Sequence, residues 1–145
     1  MKAVLCLFSI AAGLSLSLQA DTSIPSGKQL RQAAEQTTRM IDSAGLKKLI
    51  DETPDLVLVD IRTKEEIERQ GGQIEAPQNV NITRGWLEFD IQSHAGTRDT
   101  PIVIYCGGGL RSPFAAETLQ KMGYTQVWNY SGGYLDWRKS MASAP

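Results

Sequence analysis

Two uninterrupted apolar runs, Leu56-Val57-Leu58-Val59 and Ile102-Val103-Ile104-Tyr105, stand out in the hydrophobic pattern of the chain. Neither alternates with polar residues, and both are rich in β-branched side chains, which predicts strands covered on both faces in a parallel sheet. Val127 to Tyr130 and the shorter Val80-Asn81-Ile82 read as further strands. The intervening segments have helical spacing. Asp42 or Ser43 caps a helix in which Leu46, Leu49 and Ile50 fall at i, i+3 and i+4, ending near Glu52 before Pro54. Thr63 and Glu66 form a capping box, with Glu65 adding negative charge to the first turn and Gly71-Gly72 closing the helix. Leu87 and Ile91, with Trp86 and Phe89, suggest a helical turn, and Ser93 to Thr100, which contains His94, reads as a loop. Ser112 caps a further helix with Pro113 at its first position, Ala115, Leu119 and Met122 facing inward, and Gly123 at its end. Gly132-Gly133 leads into a closing helix with Leu135 and Trp137.

Strands alternating with helices at this spacing predict an α/β layered fold with a mostly parallel sheet. The 145 residues suit one domain, placed at 39–140, with order beginning near Met40. Residues 21–38 read as a polar linker or one short helix, and 141–145 as a tail.

The first twenty residues break the pattern. Lys2 precedes an almost wholly apolar or small stretch from Ala3 to Leu18, and Ala20 supplies a small residue before Asp21, the layout of a secretory signal peptide at 1–20. The apolar run is short for a spanning helix, so the expectation is an exported protein, free of the membrane after cleavage, in a bacterial periplasm. Removing the leader leaves 14 basic against 16 acidic residues, a net charge of −2, and no basic run with interleaved aromatics. Nothing supports nucleic-acid binding.

Cysteine usage sharpens the picture. Cys6 leaves with the leader and Cys106 remains as the lone thiol, unable to form an internal disulfide. One Cys and one His do not make a zinc site, so no metal is expected. Cys106 lies where a buried strand stops: Cys106-Gly107-Gly108-Gly109-Leu110-Arg111-Ser112. Ligands of parallel α/β sheets gather at this end of the strands. Three glycines let the backbone curl and turn N–H groups toward a bound atom, while the helix N-terminus and Arg111 add positive charge. These features make an anion cradle that lowers the thiol below its free value of about 8.5. A dinucleotide fingerprint is ruled against by Ser112, which stands where Gly or Ala is required. A serine hydrolase would need His94 as its base, and His94 reads as a solvated loop residue.

These segments, taken in order over Ile41 to Lys139, resemble the rhodanese superfamily. Asp60-Ile61-Arg62 with Glu65-Glu66 is similar to its strand end and acidic helix, Asn79 to Ile82 to its short second strand, Cys106 to Ser112 to its active loop, and Tyr130-Ser131-Gly132-Gly133 with Trp137 to its closing segment. The resemblance implies a rhodanese-like three-layer fold, a mostly parallel five-stranded sheet flanked by helices. It also implies a thiosulfate:cyanide-type sulfurtransferase working through a persulfide on Cys106, with no other cofactor. Gly107, Gly108, Gly109, Leu110, Arg111 and Ser112 would then bind substrate, Ser112 by bonding the sulfur if it does not simply cap the helix. Arg84 and Trp86 are candidates for the pocket rim, and Asp60 and Arg62 for a partly exposed structural ion pair. The expected partners are a small anionic donor such as thiosulfate and a thiol, cyanide, sulfite or protein acceptor, with the chain a monomer. Two departures are visible: Gly72-Gln73-Ile74-Glu75-Ala76-Pro77 replaces the family's usual segment, and no basic residue directly follows Cys106.

Two other function classes compete. Cysteine phosphatases and arsenate reductases resemble this loop but place five residues between Cys and Arg, where this chain has only Gly107 to Leu110. A non-catalytic rhodanese-like binding module would typically have lost the nucleophile, which is kept here as Cys106.

Overall fold

The computed structural model describes residues 23–143. The expected leader at 1–20, Cys6 within it and the last two residues of the tail lie outside them.

Five strands form one fully parallel sheet: β1 (Arg39–Ile41), β2 (Val57–Asp60), β3 (Asn79–Asn81), β4 (Ile102–Tyr105) and β5 (Val127–Tyr130), in the order β1-β5-β4-β2-β3. Every residue of β2 and β4 is buried, as their unbroken apolar runs require. The twofold period of a strand divides each run between two cores. Val57, Val59, Ile102 and Ile104 join Leu87, Ile91 and Leu119 on one face, while Leu58, Val103 and Tyr105 join Leu46 and Tyr130 on the other. Each such fully buried aliphatic side chain contributes about 1.5–3 kcal/mol.

Among the described residues six α-helices complete the three layers: α1 (Gly27–Thr37), α2 (Ser43–Glu52), α3 (Lys64–Arg69), α4 (Leu87–His94), α5 (Ser112–Lys121) and α6 (Gly133–Ala142), with a 3-10 turn at Arg84–Trp86 before α4. The Asp42 carboxylate caps α2 by accepting from the Gly45 N–H at 2.8 Å. The capping box of Thr63 and Glu66 closes at 3.1 and 3.2 Å. Because every connection runs from a strand's C-terminal end into a helix, the loops after β2, β4 and β5 gather over one edge of the sheet.

Several local expectations are corrected. The segment expected as linker or short helix holds α1, three turns long, which packs on α5 and buries Ala34. Its start is fixed by a capping box between Ser26 and Gln29. Order therefore begins well before Met40. β1 escaped the apolar pattern because it has three residues, two of them exposed. Met122 does not face inward: α5 ends at Lys121, and Met122, 37% exposed, lines a surface recess with Arg98 while Tyr124 takes the buried place. His94 ends α4 and so is not part of a loop.

Candidate active site

Cys106 follows the last residue of β4, and α5 begins at Ser112, so the intervening loop spans one strand-to-helix junction. Two backbone contacts set its shape. The N–H groups of Tyr134 and Leu135, in the first turn of α6, donate to the carbonyls of Cys106 and Gly107 at 2.8 and 3.0 Å. Those carbonyls are thereby satisfied from outside the loop. Gly109 has φ +73°, and a Cβ there would stand 1.9 Å from the Ser131 carbonyl oxygen. Gly133 has φ +62°, with a Cβ position 2.6 Å from the Cys106 carbonyl oxygen. Only glycine permits this approach of the β5–α6 turn to the loop.

At the other end of the loop the Ser112 hydroxyl oxygen lies 3.8 Å from Sγ. Hydrogen bonding from the Arg111 and Ser112 backbone and the Ser112 side chain favours the thiolate form of Cys106. Burial pushes the thiol up, since the residue is 1% exposed, but these bonds and the charge of Arg111 outweigh it and hold the pKa below the ordinary thiol value. The sulfur is thus deep within the cradle, and Gly108 and Leu110 form the solvent-facing rim. Ser112 is not the helix cap expected of it. The cap position belongs to Arg111, which makes no side-chain capping bond, and Ser112, fully buried, faces the sulfur.

Arg111 is itself engaged. Its Nη1 and Nη2 donate to Glu66 at 3.0 and 2.7 Å, a bidentate pair joining the starts of α3 and α5. These hydrogen bonds hold the Glu66 carboxyl below its usual range despite partial burial.

Beneath the loop, Asp60 and Arg62 form an ion pair that is fully buried, where partial exposure was expected. The reason is enclosure on every side. Arg62 Nε donates to both Asp60 oxygens at 2.9 and 3.1 Å, Nη2 to the Gly72 carbonyl at 3.0 Å, and Nη1 to Gln70 Oε1 at 2.9 Å. The Tyr134 ring covers the guanidinium with its centroid 4.3 Å away. Gln70 also fills the space beside Gly107, where a Cβ would meet its amide at 2.8 Å. Gln70 and Tyr134 were missed by sequence reading although each adjoins a segment it singled out, Gly71-Gly72 and Gly132-Gly133, because only the fold brings these side chains to Arg62.

The two rim candidates, Arg84 and Trp86, stand in the short helical turn that leads into α4. Arg84 donates to Glu88 at 2.9 Å and to the Thr118 hydroxyl of α5 at 3.2 Å. Trp86 is 68% exposed and meets Phe89 edge-on, with ring centroids 6.2 Å apart. The departing segment after Gly72 is anchored by Ile74, which is fully buried and whose N–H donates to the Tyr105 hydroxyl at 3.3 Å.

The chain is similar to known proteins in both sequence and structure. A protein called sulfurtransferase from Allochromatium vinosum is 35% identical over 99 residues, covering 68% of this chain and 87% of its own. A solved protein of unknown function from Rhodopseudomonas palustris, described as a possible tyrosine phosphatase, superposes with a TM-score of 0.71 at 34% identity, covering 84% of this chain and 96% of its own. The polysulfide-sulfur transferase homodimer of Wolinella succinogenes gives a TM-score of 0.70 at 26% identity over 79% of this chain and 82% of its own. With residues 42–140 matching the family model for the rhodanese-like domain, the chain belongs to that family.

Proposed function

We propose that this protein is a thiosulfate:cyanide-type sulfurtransferase that carries sulfane sulfur as a persulfide on Cys106. A sulfurtransferase-type role is supported by the named relatives. The finer reading rests on one observation: the Cys106 sulfur is buried beside the start of α5, 3.8 Å from the Ser112 hydroxyl oxygen, in a setting that holds its pKa below the ordinary thiol value. In the first step the Cys106 thiolate attacks the outer sulfur of thiosulfate. The S–S bond of the donor breaks and sulfite leaves with the electron pair, so the negative charge passes to the new persulfide. Cyanide, sulfite or a thiol then attacks that outer sulfur and Cys106 departs as thiolate. Fixed dipoles stabilise anionic sulfur at each stage without reorganising. Gly107 to Ser112 form the binding loop, and Arg111, already paired with Glu66, adds field more than direct contact. Export to a periplasm and a monomeric state belong to the same proposal.

Intact-mass measurement after exposure to thiosulfate tests it. The expected result is a gain of one sulfur atom that cyanide removes and that Cys106→Ala lacks. Absence of the adduct with every sulfane donor overturns the reading. Phosphate-ester hydrolysis is a second reading, suggested by the description of the Rhodopseudomonas palustris protein. Four residues between Cys106 and Arg111 close a ring smaller than phosphatases use. Aryl-phosphate turnover without any sulfur adduct would favour that second reading.

A further inference from the structure

Helix α1 lies outside the residues matched by the family model, yet it packs on α5 and reaches the active loop. Gly27, Lys28 and Arg31 of α1 line a groove of 430 Å³ together with Leu110, the loop residue beside Arg111. That volume falls within the range of about 300–1,000 Å³ found for sites of drug-sized organic ligands. It is far larger than an inorganic donor requires. Leu110, 62% exposed, gives the groove an apolar wall, to which the aliphatic stems of Lys28 and Arg31 add. Both side chains carry positive charge to this groove. Lys28 makes no ion pair among the described residues, and Arg31 has only a loose one to Glu35 at 3.6 Å, worth little at the surface. By contrast, the loop's own cation, Arg111, is neutralised by Glu66. Positive charge free of a close carboxylate partner is therefore supplied to this groove by α1, through Lys28 and, more weakly, Arg31.

From this juxtaposition we infer that α1 selects the sulfur acceptor, and that the acceptor is a small organic thiol bearing carboxylates. The inference rests on the sulfurtransferase reading of Cys106. The acceptor's carboxylates meet Lys28 and Arg31, its carbon skeleton lies along Leu110, and its thiol is directed over the rim toward the persulfide. In the transfer, the acceptor thiol and the Cys106 persulfide anion become an acceptor persulfide and the Cys106 thiolate. One S–S bond forms, one breaks, the thiol proton passes to the transferred sulfur, and no outside oxidant is needed.

Two measurements on the full chain test this. Sulfur transfer from the loaded protein is compared for mercaptosuccinate and uncharged 2-mercaptoethanol at equal thiolate concentration. The wild type should prefer mercaptosuccinate, and the charge reversal Lys28→Glu with Arg31→Glu should lower that preference by about tenfold, an effect that salt weakens. Separately, binding of the unreactive S-methyl thioether of mercaptosuccinate is followed by NMR at the amides of Gly27 and Leu110, with the neutral Lys28→Gln, Arg31→Gln variant as a second probe. Shifts in the wild type that disappear in both variants support the groove, whether or not Cys106 loads sulfur. A protein that loads sulfur but shows no charge preference and no shifts overturns it. A protein that binds the thioether but never loads sulfur overturns the transferase reading instead.

Discussion

At Cys106, burial and hydrogen bonding oppose each other, and the bonds win. A folded-state pKa below the unfolded one means that the native protein holds fewer protons at this group. Its stabilising contribution is complete above the unfolded value of about 8.5 and fades as pH falls through the native value. The stability difference between wild type and Cys106→Ser should therefore widen as pH rises from about 6 to about 9, as measured by denaturant unfolding. A constant difference across that range would mean that the amides do not favour the thiolate. The cysteine and its loop were legible in the sequence because the strand, the glycines and the helix start are contiguous. The depth of the sulfur, at 1% exposure, was not, since it depends on packing with residues far apart in sequence, such as Leu87, Ile104 and Leu119 in the same core cluster. The role of Ser112 was likewise open: a serine at a helix start reads as a cap, and only the three-dimensional course of the loop turns it toward Sγ.

Among the elements, the junctions after β4 and β5 behave as one unit because their backbones touch. Gly109→Ala places a methyl group on the Ser131 carbonyl and demands a left-handed conformation that itself costs about 1–2 kcal/mol. The expected loss is at least about 2 kcal/mol in unfolding free energy, with the Cys106 thiol pKa moving back up as the amides lose their aim. Gly108→Ala, where nothing lies within 4 Å, should change stability by no more than about 0.5 kcal/mol. Equal effects at the two glycines would disprove the interlock. Longer elements were legible by pattern. β2 and β4 announced themselves by apolar runs, whereas β1, with two of three residues exposed, borrows its place from pairing with β5. Helix α1 buries only Ala34, so its polar sequence left linker and short helix both open until its packing on α5 was seen.

On the scale of the molecule, the sheet order puts β4 in the middle, with β5 and β1 on one side and β2 and β3 on the other. The buried pair of Asp60 and Arg62 stands at the end of the neighbouring strand, directly alongside Tyr105. Amides of β4 should consequently be among the last to take up deuterium, exchanging only through global opening, while those of β1 and β3 exchange through local fraying. The junction bearing Cys106 is thus anchored to the strand expected to open last, so that fraying at either edge of the sheet would leave the thiol in its seat.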